Sequence, residues 1–153
     1  MSSNHFVVKM TRKELRRSPQ TLKRLQFLTN GGWGRRDSRM YDVLSWGLDE
    51  DEDASHFWLV VHNGIIQGWA CLSPDCDRKG KLIWPLDVYV GVKYRRQGVG
   101  RDLLHRALTY AKRNKLSVVV NPWNHTSKKF YLPIKDQVTW DRRCLQHLEG
   151  KWK

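Results

Sequence analysis

At 153 residues the chain has the size of one domain that can bury a substantial core, and its 40% hydrophobic and 28% charged residues are a globular balance that excludes disorder as the resting state. Its 28 Lys+Arg against 15 Asp+Glu give a formal charge of +13, which favours nucleic acid, an acidic protein surface or simple solubility. No apolar run reaches the ~18 residues of a membrane span, no apolar signal core follows Met1-Ser2-Ser3-Asn4-His5, and Cys71, Cys76 and Cys144 are irregularly spaced, so we expect a cytoplasmic protein with reduced thiols and no membrane contact.

Residues 5–10 are apolar and β-branched enough for a first strand. Thr11-Arg12-Lys13-Glu14 then has capping-box spacing, and Ser18-Pro19 restarts a helix with Ser as N-cap and Pro at the first position. Leu22, Leu25 and Leu28 with Phe27 are expected to form its buried stripe, which Asn30-Gly31-Gly32 ends. Trp33-Gly34-Arg35-Arg36 is a cationic, aromatic loop, suited to a substrate or a nucleobase and equally to a surface turn with Trp33 tucked inward. A short helix is expected over 38–46, with Met40, Val43, Leu44 and Trp46 inward. The acidic run at 49–53 reads first as a solvated loop, and alternatively as a lure for a cationic amine.

Residues 56–62, then Asn63-Gly64, then residues 65–72 spell a β-hairpin closed by a type I′ turn. A polar loop over 74–81 leads to a strand over 82–90, in which Pro85 predicts an edge or a bulge. Cys71, Cys76, Asp75, Asp77 and His62 show no recognised ligand-pair spacing, so no metal is assigned to them. Leu103, Leu104, Ala107, Leu108 and Ala111 make one face of a helix that ends near Asn114. Residues 116–120 are continuously apolar, as in a strand with a parallel neighbour. A short helix over 125–131 and a last strand over 137–144 complete the chain.

The stretch 86–112 carries the chemistry. An apolar strand, Leu86-Asp87-Val88-Tyr89-Val90, passes through Arg95-Arg96-Gln97-Gly98-Val99-Gly100 into a helix start, where several backbone N–H groups point one way and the helix dipole adds partial positive charge. This is expected to be a seat for an anion such as phosphate, with Gly98 and Gly100 allowing close approach and Arg95, Arg96 and Arg101 as countercharge. It is not a P-loop, which would need Gly-Lys-Ser/Thr, nor a dinucleotide fingerprint, which would need glycine where Leu103 stands.

The pattern Arg95-x-x-Gly98-x-Gly100 between strand and helix resembles the pyrophosphate loop of the GNAT (Gcn5-related N-acetyltransferase) superfamily. Asn124 followed by Ser127, Phe130 and Tyr131 is similar to that family's segment after its fifth strand. The resemblance implies a single α/β (α+β) domain over 1–153: a mixed, mostly antiparallel central sheet splayed between the fourth and fifth strands and flanked by helices. It implies acetyl-CoA, held through backbone groups of Val88 and Val90 on the pantetheine arm, by Arg95, Arg96, Gln97, Gly98, Val99, Gly100 and Arg101 on the pyrophosphate, and by Asn124 and Ser127. Tyr131 takes the place of a general acid for the departing thiolate, and a phenol of pKa ~10 can donate at neutral pH. Asp87 takes the place of a general base, or is a structural carboxylate at a bulge; His125 and His62 are fallback bases. Leu132-Pro133-Ile134-Lys135 departs from the family, and Pro133 is expected to stop the helix early. The implied activity is acetyl transfer to a primary amine of a small molecule, peptide or aminoacyl-tRNA, by a monomer or homodimer. The alternatives are toxin-like acetylation of aminoacyl-tRNA docked on the basic surface, and a binding module for nucleic acid or protein without catalysis.

Overall fold

The structure is a computed structural model that describes residues 5–33, 55–77, 79–120 and 129–140. Along the chain lie β1 (His5–Thr11), α1 (Arg12–Arg16), α2 (Pro19–Trp33), β2 (His56–His62), β3 (Ile65–Leu72), β4 (Asp75–Cys76), β5 (Leu82–Val90), α3 (Val99–Arg113), β6 (Val118–Val120) and β7 (Thr139–Trp140). Gly34-Arg35-Arg36, the helix expected over 38–46, the acidic run, Asn124, His125, Ser127, Cys144 and the strand end beyond 140 lie outside the described residues.

The expected capping box forms at α1. Glu14 N–H donates to Thr11 Oγ1 at 3.2 Å and Thr11 N–H donates to Glu14 Oε1 at 3.0 Å. The Ser18 hydroxyl donates back to the Glu14 carbonyl at 3.2 Å, tying the end of α1 to the start of α2. Leu25 is buried and Leu22 and Leu28 are half-buried as expected, but Phe27 is 81% exposed. Two residues past Leu25 on a helix is a rotation of about 200°, which carries Phe27 to the outer side. Nor does Asn30-Gly31-Gly32 end α2, which continues to Trp33. Glycine weakens a helix without forbidding it, and tertiary bonds hold this end: Tyr89 Oη donates to the Leu28 carbonyl at 3.4 Å and Trp69 Nε1 donates to Thr29 Oγ1 at 3.0 Å.

The strands run in the order β1-β2-β3-β5-β6-β7, antiparallel as far as β5 and parallel thereafter, with β4 pairing beside β3 on β5. The hairpin turn has positive φ at Asn63 (49°) and Gly64 (76°), the type I′ signature. β4, inside the expected polar loop, was not foreseen. Pro85 lies in a central strand rather than at an edge. It stands where β3 pairing stops at Leu72–Leu86 and β4 pairing resumes at Asp75–Ile83, so the ladder is already broken beside it.

The sheet separates two cores. α1 and α2 cover Phe57, Leu59, Ile66, Trp69, Cys71 and Tyr89, while α3 covers Trp58, Val60, Ala70, Leu72 and Leu86 through Val99, Leu103, Leu104, Ala107 and Ala111. β6 starts later than expected because the preceding residues close α3: Lys115 takes φ 55° and Leu116 N–H donates to the Ala111 carbonyl at 2.8 Å, a Schellman ending. No helix among the described residues is long and apolar enough to cross a membrane.

Candidate active site

β5 meets β6 only at Trp84–Val118 and Pro85–Val119; beyond that point β5 continues to Val90 while Val120 pairs with Trp140 of β7. Those first two are the β5–β6 pairs among the described residues. Val88 and Val90 lie on β5 beyond those two pairs.

From Val90 the chain turns through Gly91, whose N–H donates to the Gln67 carbonyl at 2.9 Å, and a 3-10 turn (Val92–Tyr94) into the glycine loop. Gly98 caps α3 with φ 85°, a left-handed conformation that side chains disfavour. The first helical bond runs from Asp102 N–H to the Gly98 carbonyl at 3.0 Å. The amides of Val99, Gly100 and Arg101 thus belong to the orphan N–H groups at the positive end of the helix dipole. Arg96 and Arg101 are exposed beside them. Arg95 has another task, because its Nε donates to the Val90 carbonyl at 3.0 Å and its guanidinium lies 5.7 Å from the Tyr89 ring centre, pinning the end of β5. Gln97 Nε2 bonds the Lys93 carbonyl at 3.3 Å, and the Val99 side chain is buried in the α3 core.

Residues 129–131 are helical and Pro133 enters a 3-10 turn (Leu132–Ile134), so the helix does stop where proline was expected to stop it. Phe130 packs into the space left by Gly100, where a Cβ would stand 3.0 Å from the Phe130 ring and 3.4 Å from Val90. Tyr131 follows, edge-on to Phe130 at 5.0 Å, 7% exposed and in one core with Val99, Leu103, Val118 and Val120. The end of β5, the glycine turn and Tyr131 are in this way brought to one side of the sheet.

Asp87 is not on that side. It stands opposite Cys71 on the face covered by α1 and α2, next to a buried polar group. There Ser55 Oγ donates to Ser73 Oγ at 3.2 Å, Ser73 Oγ lies 3.2 Å from Cys71 Sγ, and the backbone N–H of Arg12, whose side chain is buried, donates to the Ser55 carbonyl at 3.2 Å. Burial above all pushes the Cys71 thiol up to about 12; the Ser73 hydrogen bond lowers it, the Asp87 carboxylate raises it and the Arg12 cation lowers it. That thiol is no nucleophile at neutral pH. His62 ends β2 beside the hairpin turn, its Nε2 3.3 Å from Asn63 Nδ2. Sequence reasoning missed the packing role of Phe130 and the burial of Arg12. An arginine in a first helical turn carries no local mark of burial, whereas an aromatic beside Tyr131 is at least a hint.

The model of the acetyltransferase (GNAT) family matches residues 14–132 of the chain. No curated protein matches it significantly. Among solved structures, AAC(6')-Iy in complex with the bisubstrate analogue CoA-S-monomethyl-acetylneamine is 18% identical, with 87% of this chain and 90% of that one covered and a TM-score of 0.60. The ribosomal-protein-alanine N-acetyltransferase of Brucella melitensis biovar Abortus 2308 is 16% identical over 85% and 90%, with a TM-score of 0.56. An aminoglycoside acetyltransferase from an uncultured soil metagenomic sample, in complex with sisomicin, is 14% identical over 76% and 76%, with a TM-score of 0.54. These likenesses concern the fold.

Proposed function

The chain belongs to the acetyltransferase (GNAT) family and is an acyl-CoA-dependent N-acetyltransferase, and from that premise we propose that it transfers the acetyl group of acetyl-CoA to a primary amine by direct attack in a ternary complex. The observation that carries the reading is the glycine turn between β5 and α3, with Gly98 at φ 85° opening the helix N-terminus and Tyr131 packed in the α3 core beside it. The residues present fit the cofactor: open space around Gly98, the orphan amides of Val99, Gly100 and Arg101, and the exposed cations of Arg96 and Arg101 suit a pyrophosphate.

When bound, acetyl-CoA supplies an activated acyl group as a thioester. Val88 and Val90 would hold the pantetheine arm through their backbone, residues 95–101 the pyrophosphate, and Asn124 and Ser127 complete the cofactor side by resemblance. Alignment of the two reactants, rather than covalent chemistry on the protein, is then the main source of rate. The Tyr131 hydroxyl is the group that would give a proton to the thiolate leaving group. Asp87 takes a proton from the incoming ammonium by resemblance alone; its side chain lies on the opposite face from Tyr131, beside Cys71, where the alternative role is a structural carboxylate.

Calorimetry with acetyl-CoA tests the cofactor, and no heat at high micromolar ligand would sink the proposal. Tyr131→Phe is expected to lower kcat by about 10²-fold or more while the acetyl-CoA Kd stays put; an unchanged rate removes Tyr131 from the chemistry. A thiol-release screen of small amines, peptides and charged tRNA identifies the acceptor. The +13 charge favours a second reading in which the amine is carried by a docked nucleic acid. Its mark is turnover that falls steeply with salt on charged tRNA but not on a small amine.

A further inference from the structure

α2, the hairpin turn and the loop after β5 enclose a groove of about 1300 Å³ that the proposed chemistry does not use. Its apolar lining is Phe27, Leu28, Ile65, Ile66, Val92 and Tyr94. Phe27 is 81% exposed and Ile65 and Val92 are each 54% exposed, so three large apolar side chains that face solvent converge on one place. Scattered exposed apolar residues need no explanation, but a contiguous set marks a contact surface. Lys23, Arg24 and Lys93 also line the groove, and among the described residues no acidic residue lines it and none of these three cations meets a carboxylate.

We propose that this groove docks a segment of a partner polypeptide that is apolar along one side and acidic along its edges. The apolar lining calls for an apolar ligand surface, and the three cations on its rim call for carboxylates beside it. A second copy of the chain does not fit, since two copies of this face would oppose cation to cation. Polyamines are repelled for the same reason. A nucleic acid would set sugar and phosphate against Leu28, Ile65, Ile66 and Val92, which give it nothing to bond. The groove includes the 3-10 turn that leads into the glycine loop, so a docked partner lies beside that loop. The inference stands apart from acetyl transfer, because it concerns binding alone.

Fluorescence anisotropy on the full chain tests it with a labelled helical peptide of roughly 16 residues, Leu at i, i+3, i+4 and i+7 and Glu on both flanks. The acidic peptide is expected to bind, and its Lys-flanked counterpart is not. Phe27→Ser and the double variant Lys23→Glu/Arg24→Glu are each expected to weaken binding by roughly tenfold or more. Both alter exposed side chains, so thermal midpoints and acetyl-CoA affinity should match those of the unaltered chain, which separates this test from that of the catalytic proposal. Equal binding by these variants overturns the proposal, as does a single-stranded RNA that binds here in place of the peptide. Binding that appears only after Asp49, Glu50, Asp51, Glu52 and Asp53 are replaced by their amides also overturns it, because the chain's own acidic run is then the occupant.

Discussion

Gly98 and Gly100 stand two residues apart and are needed for different reasons. Gly98 has φ 85° with nothing within 4 Å of the place a Cβ would take, so its requirement is conformational. Gly98→Ala should cost about 1–2 kcal/mol in urea denaturation, and Gly98→Asn less, since Asn tolerates the left-handed region. Gly100 is required for space, because a Cβ there meets the Phe130 ring at 3.0 Å. Gly100→Ala should destabilise by about 1–3 kcal/mol through overpacking and slow turnover by shifting Phe130 and, with it, Tyr131. Adding Phe130→Leu should recover much of both losses; if it recovers neither, the contact is not what makes glycine necessary. The sequence marks both glycines only by their place at a helix start, and the spatial role of Gly100 depends on a ring thirty positions away that no local pattern announces.

Among the elements, β2 and α3 are coupled by a titratable group. His56 Nε2 lies 3.1 Å from Tyr110 Oη, its ring packs between Trp58, Trp84 and Tyr110, and Lys9 Nζ stands 4.3 Å from the Tyr110 ring centre. Burial first, and the Lys9 charge second, hold His56 below its usual 6.5. The unfolded chain therefore takes up a proton near pH 6.5 that the folded chain refuses, so stability is lost as pH falls through and below that value and is fully present above it. Denaturation midpoints over a pH series should show a smaller loss on acidification for His56→Gln than for the unaltered chain, and parallel curves would exclude His56 as the cause. The capping box on α1 makes a second prediction at this scale: Thr11→Ala should cost about 1 kcal/mol, read from the same denaturation. The capping box, the Asn63-Gly64 turn and the face of α3 were all readable because each is written in neighbouring residues. The two-residue β4 and the full length of α2 were not, because pairing with β5 and anchoring by Trp69 and Tyr89 decide them.

For the whole molecule, a ligand held by the end of β5 and by the glycine turn would tie the sheet to the start of α3. Acetyl-CoA at ~100 times its Kd should add about 2.7 kcal/mol of stability, a rise in Tm of roughly 5–10 °C for a chain of this size. The rise should shrink as salt screens the cationic loop from the pyrophosphate. A thermal scan with and without ligand at two salt concentrations reads both, and no shift at either would exclude binding in the native fold.

The sequence by itself determined the local devices of this protein: the strand, capping-box and hairpin signals, the glycine turn at a helix start, and through them the family. Each is encoded within a few adjacent residues, where backbone preference and hydrophobic period dominate. Only the tertiary structure decided that Phe27 faces outward over an apolar, cation-rimmed groove, that Arg12 is buried, that Arg95 pins the end of β5, and that Asp87 and Tyr131 lie on opposite faces of the sheet. Those outcomes follow from which surfaces the sheet has room to cover, a competition among residues far apart in the chain that no single stretch of sequence contains.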